Sequence, residues 1–334
     1  MTIQKRYSIL PPYPDIYPIK LKRIQIYIFI VYKMKPFLKW VGGKTQILDK
    51  VLDSFPREIS NYYEPFLGGG SVLLGILTCP DIIITGEVYA SDANPFLIGL
   101  YTHLQLTPDN LIAELKQLCS QYEACPPNGI VNRDPVNSVD ATSSQESFYY
   151  WTRKRFNVCH KGNVSIETSA MFLFLNKTCF RGLYREGPNG FNVPFGHYTH
   201  PTIFDEDHLR SVSELIQGVH FRCSSFGTAL SPITCADFVY LDPPYAPESE
   251  TSFVKYSADG FGADCHKELF DWCRNQINDN GASFVMSNAD VEFVKKEFRL
   301  PGVETRVLSC RRAIHSTKPD ARTNEVIISF MTKQ

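Results

Sequence analysis

The chain has 334 residues, which at roughly 150 residues per domain means about two domains, or one enlarged domain carrying an insertion. Its 43% hydrophobic and 21% charged residues form an ordinary globular composition, which excludes a wholly disordered chain and a multispan membrane protein. Lysine and arginine total 34 against 35 acidic residues, so no global field advertises a polyanionic partner and any nucleic-acid surface must be local.

Residues 1–33 stand apart from the remainder of the chain. Ile24 to Tyr32 is an apolar run of nine residues, whereas a helical membrane span needs about twenty. Basic residues flank it and no small-residue cleavage site comes after it. Met34 directly precedes a dense motif, so residues 1–33 are read as a leader outside the core, with Met34 as the expected start.

From Met34 to Leu100 apolar runs alternate with helix-like segments, the rhythm of a βαβ architecture. The spacing of Ile47, Leu48, Val51 and Leu52 predicts a helix over Thr45 to Phe55. Tyr62 to Phe66 reads as a strand running into Gly68-Gly69-Gly70, Ser71 to Leu77 as a helix, and Ile82 to Ala90 as a second strand delivering Ser91 and Asp92. Between residues 101 and 200 the rhythm stops. Helical segments and aromatic clusters replace it, Cys125 to Ser147 reads as a surface loop, and Gly187-Pro188-Asn189-Gly190 predicts a hairpin. The alternation resumes at Phe238 to Leu241, a buried strand ending in Asp242-Pro243-Pro244-Tyr245. A helix around Lys267 to Ile277, a strand at Ser283 to Met286 and a final pair near Arg306 and Val326 to Phe330 close the chain.

Ten cysteines contain no C-x-x-C pair, so neither a zinc site nor a disulfide framework is expected, and they read as small buried hydrophobes. No metal is expected. Gly42-Gly43-Lys44-Thr45 looks like the tail of a phosphate-binding P-loop, but the leading glycine would fall at Leu38, which disfavours a nucleotide triphosphatase. Taken alone, Lys44 is a solvated helix-terminal lysine.

In an open α/β sheet, ligands bind beyond the carboxyl ends of the strands. Glu64 to Ser71 supplies a glycine turn at one such end, and Asp92, twenty-two residues beyond Gly70, supplies an acidic tip suited to ribose hydroxyls. That combination implies an adenosine-containing cofactor. Asp242-Pro243-Pro244-Tyr245 is the strongest cluster. Its two prolines remove N–H donors, so the loop presents a carboxylate and carbonyl oxygens beside an aromatic face. Such acceptors suit an amino group on a planar ring, with Asp242 and the Pro243 carbonyl each taking one N–H and Tyr245 stacking on the ring.

These blocks, in this order, resemble the adenine-N6 DNA methyltransferases of the Dam class, the D12 group. The resemblance rests on Phe37 to Lys44, Glu64 to Val72, Ser91 to Asn94, Asn176 to Arg185, Phe191 to Gly196, Asp242 to Tyr245 and Ser287-Asn288, and runs from Met34 to about Phe330. It implies a Rossmann-like α/β methyltransferase sheet over residues 34–100 and 201–334. An inserted, mostly helical target-recognition domain bearing a β-hairpin would fill residues 101–200.

By that resemblance S-adenosyl-L-methionine would be bound by Trp40, Lys44, Asp92 and Asp242, with Phe66 to Gly70, Gly68 included, beneath it. Methyl transfer to a flipped adenine would need no metal. Asp242, Pro243, Pro244 and Tyr245 would form the catalytic loop. Phe180, Leu183, Arg185 and Pro194 match base-contacting or intercalating positions, and Lys39 one that touches a guanine, which points to 5′-GATC-3′. Arg181 stands where Asn is common, and Arg185 to Phe191 is one residue shorter than in the enteric-type enzymes; either change could alter the recognised sequence. Trp151 to Glu186 holds Arg153, Lys154, Arg155, Lys161, Lys177, Arg181 and Arg185 against Glu167 and Glu186, a local net of +5. The partner expected is double-stranded DNA, met in the cytoplasm or host nucleoid by a monomer without membrane association. A companion restriction endonuclease, a host-marking role and a viral origin all stay open. So do two other readings, a methyltransferase for RNA or a protein amide and a DNA-binding module with a decayed site, though intact Lys44, Asp92, Asp242 and Tyr245 argue against decay. His315 reads as a solvated loop histidine.

Overall fold

The computed structural model describes residues 34–159, 164–246, 261–311 and 322–332; the expectations for residues 1–33, Lys161 and His315 lie outside these. A single 3₁₀ turn at Lys44–Gln46 leads into α1 (Leu48–Leu52). Then come β1 (Glu58–Ile59), β2 (Asn61–Glu64), α2 (Ser71–Leu77), β3 (Ile83–Ile84) and β4 (Val88–Asp92). The expected helix over Thr45 to Phe55 is thus broken near its start. The expected strand over Ile82 to Ala90 is two strands, because Gly86 turns the chain where Asn61 accepts the Glu87 N–H at 2.9 Å.

A helical layer comes next, with α3 (Pro95–Leu106), α4 (Pro108–Glu123), α5 (Ser138–Ala141), α6 (Gln145–Cys159) and α7 (Ile166–Thr178). The segment read as a surface loop over Cys125 to Ser147 therefore contains α5 and the first turn of α6. Asn137 caps α5 by accepting the Asp140 N–H, and Cys125, Ser144, Glu146 and Ser147 are buried. Ser165 and Thr168 form a capping box at the start of α7, which is apolar nearly all round and buried among its neighbours. The hairpin β5 (Glu186–Gly187) and β6 (Gly190–Phe191) turns where its glycines predicted.

The chain then adds α8 (Glu206–Leu215), β7 (Val219–Cys223), α9 (Phe226–Leu230), β8 (Asp237–Leu241) and α10 (Ala263–Asp279). It ends with β9 (Ser283–Ala289), α11 (Glu292–Glu297), β10 (Val303–Arg311) and β11 (Arg322–Phe330). Seven strands form one sheet in the order β10-β11-β9-β8-β2-β4-β7. Every neighbouring pair from β9 to β7 is parallel, and only β11 runs against the rest. β8 is buried at all five positions, as a central parallel strand covered on both faces must be. From β2 the chain steps outward through β4 to β7, then crosses back to β8 and β9 on the other side. The order reverses between β2 and β8, and the crevice beyond their carboxyl ends is where such a sheet takes a ligand. One continuous apolar cluster joins β2, β4 and β7 to α3, α4, α6 and α7; a second lies between the opposite sheet face and α10.

Candidate active site

At the reversal point, β2 delivers Glu64 and then the glycine turn. Gly68 and Gly70 have φ of +49° and +68°, left-handed conformations in which a side chain is strained. Space forbids one as well: a Cβ on Gly70 would meet the Tyr101 hydroxyl at 2.2 Å, and one on Gly68 would meet the Trp40 indole at 2.9 Å. Asp92, at the tip of β4, accepts the Gly68 N–H at 3.0 Å and the Asn94 N–H at 2.9 Å. The acidic tip therefore braces the glycine turn. Phe66 leaves the turn on the other sheet face, stacked on Phe226 at 5.6 Å.

Lys44 is not the solvated lysine its motif suggested. It is 2% exposed, its backbone N–H is held by the Ser71 hydroxyl, and its ammonium lies 2.7 Å from Asp242 Oδ2. The same ammonium sits 5.0 Å from the centre of the Tyr245 ring. Burial raises the Asp242 carboxyl to about 6, with Lys44 opposing the rise and Glu325 adding to it. Glu64, buried and accepting the Tyr62 hydroxyl at 2.7 Å, is driven up by burial to about 8. The site thus sets the Lys44–Asp242 ion pair beside a Glu64 carboxyl whose protonated form burial favours.

Three side chains grip the loop after β8. His266 of α10 sets Nε2 3.1 Å from the Pro244 carbonyl, Asn288 of β9 accepts the Ala246 N–H at 3.0 Å, and Glu325 of β11 accepts the Tyr245 hydroxyl at 2.7 Å. The Asn288 Oδ1 also takes the Ala289 N–H at 2.8 Å, which fixes the orientation of the amide.

A second cluster lies on the helical layer. Lys39, one residue before Trp40, and Asn176 exchange two hydrogen bonds, Lys39 N–H to Oδ1 at 2.9 Å and Nδ2–H to the Lys39 carbonyl at 2.7 Å. The Phe180 N–H donates to the Pro194 carbonyl at 2.8 Å, so Lys39, Phe180, Arg181, Leu183 and Pro194 share one surface. Phe180 is 44% exposed, with the Arg181 guanidinium 5.1 Å from its ring centre. Arg181 has φ of +59°, a conformation Asn tolerates far better than Arg. Arg185 is exposed on the hairpin and donates to Asn192 Oδ1 at 2.6 Å. Trp40 stacks on Tyr184 at 6.0 Å, linking this surface to the glycine turn.

The expected run of basic charge is partly spent within the fold. Lys154 pairs with Asp134, and Arg155 with Glu167. Lys39 and Lys177 have no acidic partner among the described residues, and burial beside Lys39 lowers the Lys177 ammonium to about 8. Of the ten cysteines, five are buried and Cys223 and Cys235 are exposed, so the small-hydrophobe reading holds for half of them. Sequence patterns alone assign no role to Glu64, Asn176, His266, Asn288 or Glu325. Asn176 and Asn288 stand within recognisable blocks and Glu325 near the last strand, but their partners are distant in the chain.

A mostly parallel sheet that reverses beside a glycine turn, with acidic tips on two of its strands, defines a Rossmann-like methyltransferase fold. The model of the D12 class N6 adenine-specific DNA methyltransferase family matches residues 40–306, and the chain belongs to that family. The chain is 36% identical over 302 residues to the type II methyltransferase M.MjaIII of Methanocaldococcus jannaschii, covering 88% of this chain and 97% of that protein. It is 33% identical to a DNA adenine methylase of Haemophilus influenzae (89% and 94% covered) and 33% identical to one of Vibrio cholerae (84% and 90%). As a member of this family the protein is an adenine-specific DNA methyltransferase.

Proposed function

We propose that the protein transfers a methyl group from S-adenosyl-L-methionine to N6 of an adenine extruded from double-stranded DNA, within 5′-GATC-3′. The observation that carries this reading is the buried Lys44–Asp242 pair beside Tyr245 at the point where the sheet order reverses.

The residues present fit the cofactor. Glycine at 68 and 70 lets Trp40 and Tyr101 close against a turn at the carboxyl end of β2, and acidic groups stand at the tips of β4 and β8. Trp40, Lys44, Phe66, Gly68, Gly70, Asp92 and Asp242 would hold it. When bound, the cofactor supplies an electrophilic methyl on a sulfonium centre. Asp242 and the Pro243 carbonyl accept the two N6–H bonds, which turns the nitrogen lone pair out of the ring's π-system and stabilises the positive charge that develops there. Pro243 and Pro244 stiffen the loop that carries both acceptors. Tyr245 supplies a face for the base, offsetting the few kcal/mol that extrusion costs. Catalysis is then positioning and electrostatics, with no covalent enzyme intermediate.

On the helical layer, residues 101–200 serve as the target-recognition region. Arg185 reads a guanine edge, Phe180, Leu183 and Pro194 contact or wedge between bases, and Arg181 stacks beside Phe180. Lys39 and Lys177, without acidic partners among the described residues, present their charge to the DNA. This enzyme works as a monomer in the cytoplasm or on the host nucleoid. None of the described helices is long and apolar enough to cross a membrane. Incubation with labelled cofactor and mixed duplexes, followed by mapping of the modified base, tests the reading. N6-methyladenine inside 5′-GATC-3′ is expected. Label in another sequence overturns the site assignment, and label only in RNA or protein overturns the substrate.

A further inference from the structure

The contact between Tyr245 and Glu325 has a purpose that depends on Tyr245 being the face on which the extruded adenine lies. Glu325 sits in β11, paired across the ladder with Ala289 of β9 on one side and Leu308 of β10 on the other. Its carboxylate is therefore mounted on the middle of three hydrogen-bonded strands, and not on a loop. Oε2 accepts the Tyr245 phenol at 2.7 Å, at the far end of the ring from its backbone. Next to it, Asn288 and His266 hold the backbone of Ala246 and Pro244. A phenol ring anchored at both ends cannot swing about its Cα–Cβ bond.

We propose that Glu325 is a positioning residue for methyl transfer: it holds the Tyr245 ring in the plane on which the base stacks, and so sets where N6 meets Asp242 and the Pro243 carbonyl. It acts through the Tyr245 hydroxyl and touches neither base nor cofactor. A ring tilted by loss of this anchor moves the stacked base, and misplacement of a reacting atom by about 1 Å costs on the order of a hundredfold in rate.

The test is a double-mutant cycle on the full-length protein. Glu325→Ala, Glu325→Gln, Tyr245→Phe and the double variant Glu325→Ala/Tyr245→Phe are compared for kcat, for KM on duplex DNA and for thermal melting. Extrusion is followed by the fluorescence of 2-aminopurine placed at the target adenine. Glu325→Ala should lower kcat about ten- to a hundredfold with KM for DNA moved less than about threefold. Glu325→Gln, whose amide carbonyl still accepts the phenol proton, should recover activity to within about threefold of the parent. In the Tyr245→Phe background, Glu325→Ala should cost less than about twofold more, because both changes remove one hydrogen bond. The extruded 2-aminopurine should be brighter in Glu325→Ala than in the parent, since looser stacking quenches less. Additive losses overturn the proposal, as does a Glu325→Gln enzyme as poor as the alanine variant. Should Glu325→Ala melt before assay, Glu325→Gln and Tyr245→Phe decide, a crippled Gln variant overturning the role. A parent enzyme that methylates no duplex fails the functional reading itself, whereas an active parent with an additive cycle fails only the role of Glu325.

Discussion

The proposed methyl-transfer pocket and the proposed recognition surface treat their charges in opposite ways. In the pocket, Lys44 is almost fully buried and spends its charge on Asp242, while burial favours the protonated form of Glu64. On the proposed recognition surface, Arg185 is tied to a neutral amide, and Lys39 and Lys177 have no acidic partner among the described residues. Buried charge must be neutralised within the fold or left for a ligand. In the proposed pocket the buried ammonium is paired with Asp242, while Asp92 and Glu325 are held by backbone N–H groups and a phenol; the proposed recognition surface carries cations with no acidic partner among the described residues, which suits a polyanion.

The sharpest break in this contrast is Asp242→Ala, which should reduce methyl incorporation by about a hundred- to a thousandfold while the protein still melts cooperatively and still shifts duplex DNA. Substantial residual activity would discard the acceptor role. Lys44→Met should come next, lowering activity about ten- to a hundredfold and altering its pH dependence. If Asp242 accepts an N6–H as proposed, it must be ionised in the parent, so kcat/KM should rise with pH through about 6. Lys44 holds that carboxyl down, so its removal should carry the acid limb to higher pH; an unmoved limb would assign it to another group.

On the surface, Arg185→Ala should relax discrimination at one base pair by about 1–3 kcal/mol, read as the ratio of kcat/KM on cognate and single-substituted duplexes. Lys177→Ala should instead weaken binding evenly across sequences and reduce the salt slope by about 1. Exchange of these two phenotypes would swap their roles. The smallest effect expected is for Arg181→Asn. It relieves a left-handed residue and should raise the denaturant midpoint, with a gain of up to about 1 kcal/mol; a loss would show that the stacking on Phe180 outweighs the strain.

Stability should carry its own pH signature. Glu64 is raised from its ordinary range to about 8, so the folded state binds a proton that the unfolded chain has lost. That contribution is present in full below the unfolded value near 4.5 and is lost as pH climbs to about 8. Melting should therefore weaken over that interval, and Glu64→Gln should flatten the dependence.

The strand tips are readable in the sequence because their signals are local. A glycine turn, an aspartate at the next strand end and two prolines after a buried strand each announce themselves within a few residues. The Lys44–Asp242 pair spans 198 residues and the Tyr245–Glu325 bond 80, and nothing near either end marks the partner. The loop expected over Cys125 to Ser147 fails differently. Its polar composition hides a four-residue helix whose cap, Asn137, is a local sign. The basic run over Arg153 to Arg155 overstates the free charge because Asp134 lies outside the counted window. Charge tallies along a chain miss neutralisation through space.

The apolar cluster shared by the sheet and the helical layer has an engineering consequence. Phe37, Tyr62 and Tyr101 belong to the same continuous packing as Phe148, Phe156 and Phe172. A graft that exchanges the whole helical layer for that of a relative would have to rebuild one face of the sheet. On the proposed reading, re-targeting to a new DNA word is better confined to the exposed turn and hairpin, where side chains can be traded without disturbing the shared interior.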